Sequence, residues 1–396
     1  MLFDDLGIYG WDSVEPIIMT ALLADLPILL IGDIGTNKTE GAKTIAEGAL
    51  GRSIEFRHYE VPTLNFDDLI GFLNPKTLTN GTLKFIPTPI SIWKAEGVLF
   101  DEINRANPFI QSKLHEVVRT RKVMGLPTDL KVVFAAVNPP GTYQTGYMDL
   151  AIASRFVSVQ VPNIKAMKDA EVDRIIGKNG GPVVKLKTIH DALAKARGAK
   201  FARKDMQKTS DLVKRVARDL AETDIIFNPR QLRMMFKMVM AGEALNRTIG
   251  TSPFSGTEVN SAYVGSVIPE IQGIVRSKVD REMVMGVIRT VVGGFSLGDP
   301  IITANSLEAL SQAEVGDPLA WVTAMKKLTD KEDNPEALMK VIQRVRELTR
   351  KGVIDHELGN NLIEEMAINL TTQTLLTEDV PVTRLLDRVS QVIQAI

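Results

Sequence analysis

Leu26-Pro27-Ile28-Leu29-Leu30-Ile31-Gly32-Asp33-Ile34-Gly35-Thr36-Asn37-Lys38-Thr39 reads as a short buried strand that breaks at Gly32, then a loop, then a helix that opens at Lys38-Thr39. Backbone N–H groups of such a loop and of the first helical turn point at one spot, and the helix dipole adds positive potential there. The stretch is built to hold an anion. Lys38 places a cation beside that spot, and the Thr39 hydroxyl can sit on a divalent metal.

A phosphate-binding loop of ATP- and GTP-binding proteins follows G-x-x-x-x-G-K-[ST]. Gly32, Lys38 and Thr39 are in register with that pattern, but Asn37 stands where the second glycine is expected. Glycine serves there because it tolerates unusual backbone angles and lets phosphate approach. Asparagine is the other residue that best tolerates positive φ, and Gly35 supplies a second flexible point. The candidate nucleotide-binding residues are Gly32, Asp33, Ile34, Gly35, Thr36, Asn37, Lys38, Thr39 and Glu40. The plain alternative is a buried strand, a turn and a capped helix with no ligand.

Working outward, a helix is predicted from about Ser13 to Ala24 with Ser13 as its cap. The helix after the loop should end at Gly51. Ile54–Tyr59 alternates as a strand, and Asp67–Gly71 suggests a helical turn. Asn80-Gly81 is a hairpin signal with 77–79 and 82–86 as arms, followed by a helix over about 90–96. Gly97–Glu102 is an apolar strand that ends in two carboxylates, Asp101 and Glu102. A helix over 108–121 is capped by Asn107, and 119–130 suggests a small hairpin or loop. Val132–Val137 is another buried strand, a helical stretch falls near 147–153, and Val157–Val161 is a fifth strand. Apolar strands alternating with helices imply a parallel sheet covered on both faces, with the ligand beyond the strands' carboxyl ends. Gly32, Asp101 and Asn138 all fall at such ends.

The 396 residues suffice for two or three domains, and the composition is that of an ordinary globular chain, 44% hydrophobic and 24% charged. A net charge of −1 gives no global pull toward nucleic acid or acidic membranes. The absence of cysteine excludes disulfides, thiolate metal sites and cysteine nucleophiles. His58, His115, His190 and His356 lack metal-ligand spacing. With no secretory signal evident and no apolar run of about 18 residues, a cytoplasmic setting without a membrane span is expected. After 162 helical patterns dominate. They are interrupted near Gly177–Pro182 and at Asn228-Pro229, and a Gly/Ser/Thr/Pro-rich linker is read over 250–261. Residues 165–218 carry fifteen Lys/Arg against six Asp/Glu. A methionine stripe at Met234, Met235, Met238 and Met240 is read as core or interface filler.

Val98-Leu99-Phe100-Asp101-Glu102-Ile103-Asn104-Arg105-Ala106 resembles the Walker B segment of the MoxR branch of AAA+ ATPases, in which DEINRA is characteristic. The resemblance covers about residues 7–250. Val137-Asn138-Pro139 with Gly141-Thr142-Tyr143 resembles its sensor 1 segment. Ser154-Arg155-Phe156 resembles the arginine-finger segment, and Asn228-Pro229-Arg230 the sensor 2 helix. The implied fold is α/β, a P-loop AAA+ core with a parallel five-stranded sheet over 1–162, an α-helical lid over 163–250 and an α-helical region over 251–396.

The implied ligands are ATP and Mg²⁺, the metal held through Thr39 and Asp101. Glu102 would activate the attacking water, and Asn138 would hydrogen-bond that water or the γ-phosphate. Arg155 would reach the neighbouring subunit's site, and Arg230 would touch the γ-phosphate from the lid. Ile8 and Tyr9 resemble the segment that packs on the adenine; a core role is the alternative. A finger acting in trans requires an oligomer, and the resemblance implies a homo-oligomeric ring, expected to be a hexamer. It also implies chaperone-like remodelling of a protein client, with a von Willebrand factor A domain protein as an expected partner. Two other readings stay open: a nucleic-acid-associated motor, suggested by the basic 165–218 stretch, and a nucleotide-gated scaffold whose turnover Asn37 has weakened.

Overall fold

The computed structural model describes residues 2–78, 84–140, 146–163, 165, 167, 169–176, 184–221, 223, 225, 227–249, 254, 256–296, 321–322, 325, 335–356, 359–360, 362–363 and 366. The chain divides into two compact units, Met1–Met285 and Gly286–Ile396. In the first, α1 (Glu15–Leu23) leads to β1 (Ile28–Ile31), and α2 (Lys38–Leu50) follows the intervening loop. Next come β2 (Phe56–Glu60), α3 (Phe66–Ile70), β3 (Phe72–Leu73), α4 (Pro75–Leu78) and β4 (Phe85–Ile86). Then β5 (Gly97–Asp101) precedes α5 (Pro108–Thr120), the short strands β6 (Lys122–Val123) and β7 (Leu126–Pro127), and β8 (Val132–Val137). The turn helix α6 (Leu150–Ala153) leads to β9 (Val157–Gln160).

Five strands form one parallel sheet in the order β2-β5-β8-β1-β9. Every residue of β1 and β8 is buried, as expected of apolar strands covered on both faces. Ile28 pairs with Phe134 and Val157, and Leu99 with Phe134. The expected doubly covered α/β sheet is therefore present. Beyond it the described chain of this unit is helical: α7 (Asp169–Ile175), α8 (Leu186–Arg197), α9 (Arg203–Ala221), α10 (Pro229–Ile249) and α11 (Thr257–Gly265). Met234, Met235 and Met238 are buried, so the methionine stripe fills core. A further helix, α12 (Arg281–Ser296), spans the boundary between the units. In the second unit α13 (Pro335–Arg350) is described, and Val341, Ile342, Val345 and Leu348 pack with Trp321, Val322 and Met325 in a core of their own.

Several local expectations change, each because a tertiary partner outcompetes a local one. The first helix starts at Glu15, not Ser13. The amides of Val14 and Glu15 both donate to the carbonyl of buried Trp11, and no side chain caps the helix. No helix forms over 90–96. The Ile92 amide donates to Leu69 O at 2.9 Å and the Glu96 amide to Glu55 O at 2.8 Å, carbonyls far away in sequence. The hairpin arm read at 77–79 is helical as far as Leu78. Antiparallel pairing instead joins Phe72 to Ile86 and Leu73 to Phe85. The Asn80-Gly81 turn lies outside the described residues, as do Gly141-Thr142-Tyr143, the break at Gly177–Pro182 and most of 301–396. The second small hairpin forms as read, with Lys122 opposite Pro127.

Gly71 anchors the β3–β4 pair. Its φ of 81° and ψ of −169° lie in a region essentially restricted to glycine. A Cβ there would also run into the backbone carbonyl of Ile86. Gly71→Ala should cost about 1–3 kcal/mol locally, read as faster limited proteolysis between α3 and β5. Equal cleavage rates would show that the pair does not depend on this contact.

Candidate functional site

The parallel register sets Gly32, Asp101 and Asn138 side by side at the carboxyl edge of β1, β5 and β8. Beyond that edge opens a cavity of about 670 Å³, lined by Ile34–Glu40, Glu60, Asp101, Glu102 and Asn138. The loop from Gly32 to α2 wraps one side of it. Asn37, the residue that departs from the glycine pattern, has φ 61° and ψ 27°. It thus adopts the left-handed conformation that glycine would supply there, one of the few αL positions among non-glycine residues. Gly35 is also at positive φ, 80°, with open space around its Cα.

Lys38 is only 8% exposed. A buried ammonium must be hydrogen-bonded, and Nζ donates to Gly32 O and Asp33 O at 2.7 Å each and to Asn138 Oδ1 at 3.1 Å. Burial lowers its pKa, and Asp101, Asp33 and Glu102 offset part of that fall. Gly32 and Asp33 thus enter the site through backbone carbonyls that hold the lysine.

Asp101 accepts from the Glu102 amide at 2.9 Å through Oδ1 and from Thr39 Oγ1 at 3.5 Å through Oδ2. Oδ2 also meets His58 Nε2 at 3.3 Å. Burial pushes the Asp101 carboxyl up, but the bonds from His58 and the Glu102 amide, with the His58 and Lys38 charges, outweigh it and the net shift is down. The bond to Asp101 raises the His58 pKa against the opposing effect of burial. Thr39 Oγ1 and Asp101 Oδ2 make an adjacent pair of oxygen donors. Magnesium takes such a set, completing its shell with phosphate oxygens and waters. Glu102 sits in the left-handed region, φ 51° and ψ 40°, and its Oε2 accepts from Arg105 Nη1 at 2.7 Å.

The structure therefore gathers Ile34 through Glu40, Asp101, Glu102 and Asn138, with Gly32 and Asp33 behind Lys38. Ile8, Tyr9, Arg155 and Arg230 do not line this cavity. Ile8 is buried, and Tyr9 lies under the guanidinium of Arg174, 5.6 Å from its ring centre. Arg155 and Arg230 are instead close enough to each other that Arg230 helps lower the Arg155 pKa, second to burial. Arg155 Nε and Nη1 are buried and have no hydrogen-bond partner among the described residues. Sequence reading missed His58 and Glu60. The available signal was that β2 lies next to β5, in register Glu60 to Asp101, but adjacency in the sheet is not written in a single strand.

Residues 27–156 match the family described as AAA domain (dynein-related subfamily). The fold is similar to that of a protein from Cytophaga hutchinsonii, at 17% identity and a TM-score of 0.51, over 73% of this chain and 92% of that one. A full-length MCM homolog from Methanopyrus kandleri also matches, at 11% identity and a TM-score of 0.45, over 69% of this chain and 58% of its own. No curated protein matches. The fold is thus a P-loop AAA+ core followed by helices, and the family match supports a nucleotide-dependent AAA+ function. No helix among the described residues is long and apolar enough to cross a membrane.

Two outcomes test this geometry. Because Asn37 already occupies the αL region, Asn37→Gly should leave nucleotide affinity within about threefold of wild type. A β-branched Asn37→Val, strained by about 1–2 kcal/mol, should lower it about tenfold, measured by nucleotide titration. A large gain for Asn37→Gly would mark Asn37 as a brake. The second test concerns His58 and Asp101 in nucleotide-free protein. The raised His58 pKa stabilises fully below the unfolded imidazole value and fades as pH rises through the folded one. The lowered Asp101 pKa stabilises fully above the unfolded carboxylate value and fades as pH falls through the folded one. The melting-temperature advantage of wild type over His58→Gln should therefore be largest near about pH 5–6 and shrink by about pH 8. A pH-independent difference would refute the pairing.

Proposed function

We propose that the chain is an ATP-hydrolysing AAA+ ATPase of MoxR type that works as a homo-oligomeric ring, a hexamer, and remodels a protein client. The observation that carries the reading is the meeting of Lys38, Thr39, Asp101, Glu102 and Asn138 at one sheet edge around an anion-directed loop. In this reading the loop amides and Lys38 hold the β- and γ-phosphates. Thr39 and Asp101 would hold Mg²⁺, which would supply positive charge against the phosphates. Glu102 turns from Arg105 to accept a proton from the attacking water, and Asn138 orients that water.

The charges that stabilise the leaving phosphates come from another copy. Arg155 and Arg230 do not line the cavity of their own chain, which suits residues presented to an adjoining site, and such a finger contributes several orders of magnitude to turnover. The protein client, with a von Willebrand factor A domain partner as the candidate adaptor, follows from the MoxR resemblance. A nucleic-acid motor gains no support from the basic helices. Several of their cations are paired with acids nearby, such as Lys214–Asp211, Arg215–Asp219 and Arg247–Asp205, the pattern of a solvated face.

Purified protein should hydrolyse ATP in the presence of Mg²⁺. Lys38→Ala should abolish nucleotide binding. Glu102→Gln should retain bound ATP, assemble more strongly and turn over at least about 100-fold more slowly. Wild-type turnover no higher than that of Glu102→Gln would instead establish the nucleotide-gated scaffold.

A further inference from the structure

Two side chains close the turn that opens α10. Asn228 Oδ1 accepts from the amides of Arg230 and Gln231 at 3.0 Å each. Gln231 Oε1 accepts in return from the Asn228 amide at 3.2 Å and from Asn228 Nδ2 at 2.7 Å. In such a reciprocal cap glutamate serves as well as glutamine, because only an acceptor oxygen is used. Gln231 is only 2% exposed, so its other polar atom needs a partner of its own. With Oε1 committed to the cap, Nε2 donates to the carbonyl of Val267 at 3.4 Å. A glutamate here would set a carboxylate oxygen against that carbonyl. The contact with Val267, and not the cap, is what calls for the amide.

Val267 lies in a strap that the core sheet holds on both sides of it. The Ser158 amide, in edge strand β9, donates to Ser266 O at 2.7 Å. Gln160 Nε2, at the end of the same strand, donates to Gln272 O at 2.9 Å, and Gln272 Nε2 turns back to Gly265 O at 2.9 Å. The Met148 amide donates to Ile274 O at 2.7 Å. Ile274 and Val275 bury in the same apolar cluster as Phe100, Ile152 and Phe156. Segment 265–275 is thus tied to the core at Ser266, Gln272 and Ile274, and the fully buried Val267 offers its carbonyl from an anchored base. Gln231 is bonded to that base, one residue after Arg230.

We infer that Gln231 is a positioning residue: through Val267 O it docks the first turn of α10 on the strap and so sets where Arg230 stands relative to the sheet. The inference rests on the reading of Arg230 as a residue that meets a nucleotide phosphate, whichever copy of the chain binds that nucleotide. It adds Gln231 and, behind the strap, Gln160, neither of which lines the cavity. A misplacement of about 1 Å can lower turnover about 100-fold, and a long side chain at a helix end keeps its place only if the helix end does. Loss of the docking bond therefore lowers kcat and leaves KM for ATP unchanged, because no group lining the cavity is altered.

Gln231→Glu in the full-length chain separates docking from capping, since it keeps the acceptor of the cap and removes only the donor to Val267. It should lower kcat about tenfold, leave KM within about threefold, and speed hydrogen exchange in the first two turns of α10 in nucleotide-free protein. Gln160→Met frees the strap from β9 without touching α10 and should lower kcat in the same sense, which keeps the inference testable if Gln231→Glu folds poorly. A melting temperature near that of wild type confirms that each variant folds. In an Arg230→Ala background, Gln231→Glu should have no further effect on kcat. Wild-type kcat and exchange in Gln231→Glu, or an equal loss of kcat with and without Arg230, overturns the inference. Arg230→Ala with wild-type kcat overturns the reading of Arg230 and the kcat claim with it. Faster exchange in Gln231→Glu then still establishes the docking, and unchanged exchange removes it too.

Discussion

The ammonium of Lys38 cannot stay buried unless three oxygens from two strand ends surround it. Gly32 and Asp33 supply carbonyls at the end of β1, and Asn138 supplies its side-chain oxygen at the end of β8. That requirement ties the phosphate loop to the parallel register of the sheet. A shift of β8 against β1 by one residue would remove Asn138 from reach and turn its side chain to the opposite face. The apolar core beneath, in which Phe100, Phe134 and Ala135 are fully buried, fixes that register and with it the polar edge.

The same edge concentrates negative charge. Asp101, Glu102 and Glu60 all line the cavity, and each carboxylate is costly there unless something compensates it. His58, the Glu102 amide and Lys38 do so for Asp101, while Arg105 does so for Glu102. Arg155 is a different case, with two buried nitrogens that have no hydrogen-bond partner among the described residues.

Much of this was legible in the sequence. Short apolar runs ending in Gly32, Asp101 and Asn138 pointed to a parallel sheet with its ligand at one edge, and the edge is there. Asn37 was read as a residue that tolerates positive φ, and it stands at 61°. The segment 90–96 was read as a helix and is not one, because its amides bond to Leu69 and Glu55. Propensity describes only local alternatives. The arms of the first hairpin were misplaced for the same reason: the pairing of Phe72 with Ile86 spans a segment whose own preference is helical at Pro75–Leu78.

Residue order alone determined the strand-loop-helix, the two carboxylates after an apolar strand and the asparagine at the next strand end. Each of these is a short-range pattern whose physics acts within about ten residues. Only the tertiary structure decided that His58 and Glu60 join this edge and that Arg155 and Arg230 stand away from the cavity. Those meetings depend on which strand lies beside which and which helix faces which. Such adjacency comes from burying a shared apolar core, and no single segment carries a record of its neighbours.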